Sequence, residues 1–339
     1  QIIYDITVAT QDEDKIVYGI YVIDSIGTTL VSNNMLSQIT HERSTPTTNF
    51  IVRGISVYTA TLGTVNVFYN SVQINEDDNA SVAAFYMEDG TVSILNNILS
   101  NVSDTSSSSF RYCIYKNNGV LSSDFNDLHI DTSGTNNYTG YDGSNYIGLS
   151  DWQTGSGDDY SSLNITPPFI SATNLHIIAT DSAVNNLGTP CTVLYDIDED
   201  SRDAVTPDIG AEEYTYTTKD LAMHSVSTPV AGCMTSAETV IVMIENTGLD
   251  TIYCSVTPVQ INVNVTGANT DATSIIVNTG TFDPGTISPF TVGTVDLRQY
   301  GENFFDAYLS CSADAFFFND TLLEQDTILT NNPYIYSFY

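Results

Sequence analysis

Basic residues are scarce in this chain. Among its 339 residues, 8 Lys and Arg stand against 41 Asp and Glu, which gives a formal net charge of −33. Proteins bind nucleic acids and anionic membrane surfaces through clustered Lys and Arg side chains. The composition therefore argues against nucleic acid and membrane-surface partners, and it fits a solvated exterior screened by salt.

Long apolar runs are also missing. No stretch approaches the roughly 18 apolar residues of a membrane-spanning helix, so we expect no membrane insertion. No basic segment followed by an apolar segment opens the chain, which begins with Gln1 rather than Met. Thr, Ser, Asn, Asp and Tyr are abundant, as in exported β proteins. We therefore expect a mature or partial extracellular protein.

Cysteine is sparse, with five residues in all. This odd number does not make the dense framework of a disulfide-rich scaffold. Cys233, Cys254 and Cys311 lie in the last third of the chain and suffice for one bridge, with three pairings open. Cys113 aligns with small residues in other repeats, so we expect a buried thiol that serves packing.

A repeat dominates the first two thirds of the chain. Four segments, GTTLVSNNMLSQI, GTVNVFYNSVQIN, GTVSILNNILSNV and GVLSSDFNDLHI, each carry Asn seven residues after their first Gly. Alternating apolar residues predict short β-strands, and a single repeat buries too little apolar surface to be stable alone. We therefore predict parallel β coils stacked on one another. The phrases GIYV, GISV, AFYM and CIYK precede these segments and align four small residues: Gly19, Gly54, Ala84 and Cys113.

The repeated asparagines predict a structural ladder. In a stack of coils the same position of successive repeats lies in one column, where side-chain amides can hydrogen-bond to one another. Asn also tolerates the left-handed backbone of a sharp corner. The members of the predicted ladder are Asn34, Asn70, Asn97 and Asn126.

These repeats resemble the right-handed parallel β-helix proteins of the pectin-lyase-like fold. The resemblance covers about residues 1–215 and is closest to repeats on large surface proteins of gliding and biofilm-forming bacteria that use type IX secretion. DWQTGSGDDYSSLNITPPFISATNLHI, DSAVNNLGTP and DIDEDSRDAVTPDIGAEEY look like its closing part, with PDIGAEEY as the most specific signature. The resemblance implies the right-handed sense and the closing segment.

A second unit follows the segment YTYTTKD. About seven β runs divided by Gly, Pro, Asn and Asp turns predict a β-sandwich over residues 220–339. The phrases VSTPVAGC, VIVMIENTG and DTILTNN resemble the immunoglobulin-like cell-adhesion-related (CARDB) domain of bacterial surface proteins. The predicted fold class is therefore all-β, a right-handed parallel β-helix followed by an Ig-like β-sandwich.

Signs of catalysis are missing from the helix region. The resembled fold includes polysaccharide lyases, which need a basic residue beside acidic groups, but no Lys or Arg falls in a repeated column with acids. Nucleophile-elbow, Walker and dinucleotide motifs are also absent. The acidic pairs Asp77–Asp78 and Asp158–Asp159 lie in segments whose composition is typical of loops, so we expect both pairs to be solvated. His129 and His176 lie in strand-like phrases, as partly buried structural histidines do. We predict no catalytic residues.

A calcium site is the one cofactor that the sequence leaves open. Asp196, Asp198 and Asp200 occupy alternate positions, which on an extended segment places three carboxylates on one side. Arg202 offers the alternative, in which it pairs with these acids as a structural staple.

Glycosylation is a further expectation. The bacteria whose surface proteins this chain resembles attach O-glycans at Asp-Ser or Asp-Thr followed by a small apolar residue. Five such triplets give the candidate sites Ser25, Ser182, Thr251, Thr321 and Thr327.

Two functions remain open at this point. The first is a non-enzymatic surface protein of the bacterial cell, an adhesin or a building unit of a surface filament. Because the chain opens inside a coil without a capping helix, we expect further domains of a larger protein or end-to-end self-association to cover it. The second is a carbohydrate-binding or polysaccharide-degrading β-helix protein that recognises glycans. The aromatic residues available to contact a glycan would be Tyr58, Tyr69, Tyr86 and Tyr115.

Overall fold

The chain folds into two compact units, residues 1–214 and residues 215–339. The computed structural model describes residues 2–3, 6–8, 15–24, 27–41, 50–59, 63–75, 81–103, 109–130, 134–230, 234–314, 316–322 and 328–330. Strands dominate both units, and their pairing is mainly parallel in the first and antiparallel in the second. The all-β prediction is confirmed.

The first unit is a stack of four coils. Two short strands precede it, β1 (Ile2–Ile3) and β2 (Ile6–Val8). The strands of the four coils are β3 (Val17–Asp24), β4 (Gly27–Ser32), β5 (Met35–Leu36) and β6 (Ile39–His41); β7 (Phe50–Thr59), β8 (Gly63–Phe68) and β9 (Ser71–Ile74); β10 (Ser81–Asp89), β11 (Thr91–Leu95) and β12 (Ile98–Asn101); and β13 (Arg111–Lys116), β14 (Val120–Asp124) and β15 (Asp127–Ile130).

Equivalent strands of successive coils pair in parallel. They form three long sheets, β3-β7-β10-β13 continued by β16 (Asn137–Asp142), β4-β8-β11-β14, and β1-β5-β9-β12-β15, and β2 pairs with β6 in a short fourth sheet. The register follows the sequence repeat, since Gly27 pairs with Gly63 and Thr64 pairs with Thr91. The unequal spacing of the repeats is therefore absorbed between strands and leaves the columns aligned. This arrangement is β-helix-like.

Alternating side chains fill the interior of the stack. Val65, Val67, Val92 and Ile94 are at most 2% exposed and belong to one continuous apolar core. Burial of this core is the main driving force for stacking, because each coil covers the apolar face of the next.

The column of small residues marks a bend in the first sheet. Ala84 and Phe85 are consecutive, yet both face the interior core, so the alternation breaks there and Tyr86 points outward. A Cβ on Gly54 would lie 2.4 Å from the carbonyl oxygen of Ala84. The bend therefore requires small residues, and the buried Cys113 fills the same position in the last coil.

The four asparagines form a directed ladder along one corner of the stack. Each Nδ2 donates to the Oδ1 of the next asparagine, and that oxygen also accepts the donor residue's backbone N–H. The side-chain distances are 2.8 Å from Asn34 to Asn70, 2.9 Å from Asn70 to Asn97 and 3.0 Å from Asn97 to Asn126. The backbone prediction for this corner is wrong, because the left-handed residues are the preceding ones: Asn33, Tyr69, Asn96 and Phe125.

Asp159 ends the ladder. Its carboxylate accepts hydrogen bonds from Asn126 Nδ2 at 3.1 Å, Trp152 Nε1 at 2.7 Å and Ser162 Oγ at 2.6 Å. The expectation of a solvated loop is wrong for this residue, which is 1% exposed. A carboxylate has no donor of its own when ionised, so it suits the last acceptor position of a chain of amides.

A helix closes this end of the stack. Strand β17 (Asn145–Tyr146) pairs antiparallel with β16, and helix α1 (Leu149–Ser156) follows. Trp152 of α1 is fully buried in the core, with its ring against the backbone of Gly140, where a Cβ would meet it at 2.2 Å. The last coil is therefore covered by its own chain.

The closing segment, residues 158–214, then runs back along the stack. It reaches the third coil where Gly210 N donates to Asn96 O and the second coil where Ala211 N donates to Ser71 Oγ. It reaches the first coil where Arg202 donates to Asn33 Oδ1. One segment thus ties successive coils together.

The second unit is an antiparallel β-sandwich. One sheet is β18 (Leu221–Thr228), β19 (Glu238–Asn246) and β24 (Ile287–Val295), and a short pair joins β20 (Ile252–Tyr253) to β23 (Thr281–Phe282). The other sheet is β22 (Asp271–Val277), β21 (Val259–Gly267) and β25 (Gly301–Cys311), with β26 (Thr321–Leu322) and β27 (Ile328–Thr330) on β25. Residues of both sheets share one buried apolar cluster.

The ladder predicts the cost of losing one amide. Asn97→Ala should lower the free energy of unfolding of the first unit by about 2–4 kcal/mol, because the buried backbone N–H of Asn70 loses its acceptor and the Oδ1 of Asn126 loses one of its two donors. Asn118→Ala, at an exposed position, should change it by less than about 0.5 kcal/mol. Urea unfolding measures both values, and equal effects of the two variants would contradict the ladder's role.

Candidate functional site

The outer side of the β3-β7-β10-β13-β16 sheet carries rows of tyrosines, here called the tyrosine face. Its members are Tyr18, Tyr21, Tyr86, Tyr112, Tyr115, Tyr138 and Tyr141. Tyr86 stacks on Tyr115 with ring centroids 5.0 Å apart, and Tyr115 stacks on Tyr141 at 4.5 Å. The rings are nearly parallel because in-register pairing repeats the same side chain in successive coils.

Arg53 covers the free end of this stack. Its guanidinium lies 3.6 Å from the centroid of the Tyr86 ring and 3.7 Å from Glu88. The arginine is 7% exposed, so it is a packed part of the face. Burial is also the main reason that the pKa of Tyr115 is raised to about 12, which keeps this phenol protonated.

The tyrosines that would bind a sugar do not converge. A sugar ring binds an aromatic side chain by lying flat on an exposed ring face, but the faces of Tyr86 and Tyr115 are covered by neighbours. Tyr69 lies at the corner beside the ladder, where its hydroxyl donates to Thr189 O and Arg202 lies 3.8 Å over its ring. Tyr58 is 39% exposed. These residues therefore present no shared aromatic platform.

The signature PDIGAEEY is an anchor of the closing segment. Ile209 packs in a buried cluster with Ile98, and Gly210 adopts φ +109°, where a side chain would be strained. Asp208 accepts the backbone N–H groups of Asn186 and Tyr214. The polar atoms of this signature are thus engaged with the protein's own backbone.

Arg202 and Glu213 form the centre of this anchor. Arg202 donates to Glu213 Oε2 at 3.3 Å and to the carbonyl oxygens of Gly210 and Ala211. Glu213 also accepts the N–H groups of Asp203 and Asp208. The arginine is a structural staple, but its carboxylate partner is Glu213 rather than one of the three predicted calcium ligands.

The premise of the calcium prediction is wrong. The segment around Asp198 is a turn closed by an antiparallel bridge between Tyr195 and Ser201, so its carboxylates do not line one side of a strand. Asp196 Oδ1 accepts the N–H groups of Asp198 and Asp200. Among the described residues, no group of three or more His, Cys, Asp or Glu is arranged to hold a metal ion.

Two other acids of the closing segment have strongly perturbed pKa values. Burial raises the pKa of Glu212 to about 8, although the N–H of Ile177 donates to it, and nearby acids raise it further. Burial likewise raises the pKa of Asp208 to about 7 against two backbone N–H donors. Carboxyl groups with perturbed pKa values are common at active sites, but here they lie beneath the closing segment that they anchor.

A serine and a histidine on neighbouring coils resemble a nucleophile and its base. Ser100 Oγ lies 2.9 Å from His129 Nδ1, and Thr166 of the closing segment lies 3.3 Å from His129 Nε2. A nucleophile must reach its substrate, yet Ser100 is fully buried. The pair therefore ties the closing segment to the stack. His176 is 6% exposed and lies 3.2 Å from Asp198 Oδ2.

Buried acids also gather at one end of the sandwich. The carboxylate of Asp314 accepts hydrogen bonds from the backbone N–H groups of Leu221 and Phe316. The carboxylate of Asp220 accepts hydrogen bonds from Thr247 Oγ1 and Asn319 Nδ2. Burial raises the pKa of Asp314 to about 7 and that of Asp320 to about 8, and the neighbouring carboxyls raise both further. A polar hollow of about 480 Å³ lies elsewhere, between Asn269 and Arg298.

The predicted glycosylation sites fall in different environments. Ser182 and Thr321 are exposed, and Thr251 is half-buried and donates to Asp283 Oδ1 at 3.2 Å. Several positions named from the sequence lie outside the described residues: Ser25, Asp77, Asp78, Cys233 and Thr327.

Comparison with known proteins gave no match to a protein-family model and no match to a curated protein. In the part of the chain that the structure describes, no helix has the length and apolar character needed to cross a membrane.

Sequence reasoning missed Asp159 and Tyr69 as structural centres. Asp159 is seven residues from the tryptophan it binds and 33 from the last ladder asparagine, so no repeat phrase marks it. Tyr69 does carry a signal, since it immediately precedes a ladder asparagine, as Asn33 and Asn96 do. In three coils, the residue just before the ladder asparagine faces the closing segment.

Glu212 predicts a pH dependence of stability. Folding raises the pKa of its carboxyl group from 4.5 to about 8. Between these two pH values the folded state therefore keeps a proton that the unfolded state releases. The stabilisation is complete below about pH 4.5 and is lost as the pH rises through about 8. Glu212→Gln should therefore match the parent chain at pH 4 and unfold at a higher temperature at pH 8.

Thermal unfolding followed by circular dichroism checks this pH dependence. Glu199→Gln, at an exposed position of the same segment, is the matched control and should follow the parent chain at both pH values. A Glu212→Gln variant that is less stable at pH 8 would show that the carboxylate stabilises the fold in its ionised form.

Proposed function

We propose that this chain is a non-enzymatic structural module of an extracellular protein on a bacterial cell surface. Its first unit would be a right-handed β-helix of the pectin-lyase-like kind, and its second an Ig-like domain similar to CARDB domains. The protein would act as an adhesin or as a building unit of a surface filament. Handedness and the Ig-like assignment rest on the sequence resemblance.

One observation carries this proposal: the buried polar groups best suited to chemistry are engaged in holding coils together. The ladder amides bind one another, Asp159 closes the ladder, and Arg202 and Glu213 fasten the closing segment. A catalytic site needs such groups to face a substrate. A stack whose ladder and anchor groups bind one another in this way is instead suited to rigidity.

The contacts of the closing segment support a mechanical role for the first unit. Because this segment bonds to all four coils, the first coil cannot separate from the stack without also breaking its contacts with the closing segment. Such coupling raises the cooperativity of a stack, which otherwise depends on nearest neighbours alone. A spacer that carries an adhesive tip or joins a filament needs this property.

The covered end of the stack narrows the ways in which the protein can assemble. Trp152 and Asp159 fill the position where a further coil would stack, so identical copies do not extend their coils through this end. We propose that self-association or further domains use the loops, the opposite end or the sandwich. Glycans on exposed Ser182 and Thr321 would be compatible with each of these arrangements.

Carbohydrate binding or cleavage is the alternative function. Uronate-containing polysaccharides are anionic, and a net charge of −33 repels them unless cations intervene. The ring faces of Tyr86 and Tyr115, which neighbours cover on both sides, also weaken this alternative.

Electron microscopy and enzyme assays separate the two functions. Material shed from producing cells should show ordered filaments or elongated surface appendages that contain this chain, with glycan mass added to the intact protein. The purified chain should release neither reducing ends nor unsaturated uronates from acidic or neutral polysaccharides. Cleavage that is lost in His129→Ala but kept in the exposed-site variant His224→Ala would overturn the proposal.

A further inference from the structure

Two buried cysteines of the sandwich lie on segments that the sheet brings together, one in a turn and the other at the end of a strand. Cys311 is the last residue of β25, and it pairs in register with Val259, the first residue of β21. Cys254 lies five residues before Val259, in the turn between β20 and β21. The N–H groups of Val256 and Thr257 both donate to Tyr253 O at 2.9 Å, so the chain turns just after Cys254, and the following strand β21 begins opposite the end of β25.

Both thiols face the same apolar core. Cys254 is 1% exposed and Cys311 is 4% exposed, and both belong to the single buried cluster of the sandwich. Burial raises the pKa of the Cys254 thiol, and the Cys311 thiol beside it raises that pKa further. Among the described residues, neither cysteine belongs to a group of three or more His, Cys, Asp or Glu arranged to hold a metal ion.

The other described cysteines have different surroundings. Cys113 belongs to the first unit, where its buried Sγ donates to His129 O at 3.2 Å inside the stack. Cys191 also belongs to the first unit and is half-buried near the Tyr69 hydroxyl. Cys254 and Cys311 are thus the pair that one core brings together, and both are free thiols in the structure.

We propose that Cys254 and Cys311 form the disulfide bond of the sandwich when the protein folds in an oxidising compartment. This selects one of the three pairings that the sequence leaves open. The proposal presupposes the export that the proposed function includes, but the bond can be tested in the purified chain whatever the protein does.

The bond forms by exchange with a small disulfide such as oxidised glutathione. One cysteine thiolate attacks a sulfur of the oxidant, which gives a mixed disulfide and releases one glutathione thiol. The second cysteine thiolate attacks the protein-bound sulfur and releases the second glutathione thiol. Two protein thiols are oxidised and one glutathione disulfide is reduced to two thiols. Because burial keeps both thiols protonated, the exchange occurs before the core closes.

The bond would close a long loop of the sandwich. A cross-link over such a separation stabilises chiefly by restricting the unfolded chain, and its effect grows with loop length. For a unit of this size we expect reduction to lower the unfolding temperature of the sandwich by about 10 °C.

Peptide mapping of the full chain tests the pairing. The chain is refolded with reduced and oxidised glutathione, its free thiols are blocked with iodoacetamide in denaturant, and it is digested without reduction. The expected product is one cross-linked peptide pair containing Cys254 and Cys311, which separates on reduction. Cross-links through Cys233, or alkylation of both Cys254 and Cys311, would overturn the proposal.

Substitutions add an independent readout. Cys254→Ser, Cys311→Ser and the double variant should each have a lowered unfolding temperature under oxidising conditions, and a reductant should no longer change it. Cys191→Ser, the matched control, should keep both the cross-link and the response to reductant. If a reductant still lowers the unfolding temperature of the double variant by a similar amount, the stabilising bond lies elsewhere.

Discussion

The first unit depends on one interaction, the hydrogen bond from each ladder asparagine to the amide oxygen of the next. At this corner the backbone turns too sharply for strand pairing to satisfy its own N–H groups. The side-chain oxygen of the following coil accepts both the amide and the backbone N–H of the residue above it. Because a buried N–H without a partner costs about 1–3 kcal/mol, the asparagine fixes where each coil must lie on the next.

A ladder built this way has a direction, and its direction determines how the stack ends. Every amide donates toward the later coils, so the last one needs an acceptor that requires nothing further, and Asp159 supplies it. The same aspartate also binds Trp152, which is buried in the core. One residue therefore ends the ladder and holds the side chain that covers the apolar interior. The left-handed residues Asn33, Tyr69 and Asn96 complete the arrangement, since their side chains bind the closing segment.

The coils and the ladder could be predicted because they repeat. Asn34, Asn70, Asn97 and Asn126 keep one offset from their glycines, and such a column has few physical explanations. Asp159 and Arg202 occur once each and act across long sequence separations, so no spacing marks them. The calcium prediction assumed that the segment around Asp198 is extended. A turn held by Asp196 overrides that assumption, because backbone N–H donors nearby satisfy its carboxylate. The stacked tyrosines show how a repeat can imitate a binding surface while its ring faces are covered.

Native-state hydrogen exchange tests the central claim most directly, namely that ladder and closing segment hold the stack as one unit. The backbone N–H groups of Asn70 and Asn97 report on the ladder, and those of Gly210 and Ala211 report on the closing segment. All four should exchange with the same free energy of opening, equal to that of global unfolding, and share its dependence on denaturant. If Gly210 and Ala211 exchange through a lower-energy local opening while the ladder stays protected, the closing segment is a loosely attached appendage and the account is wrong.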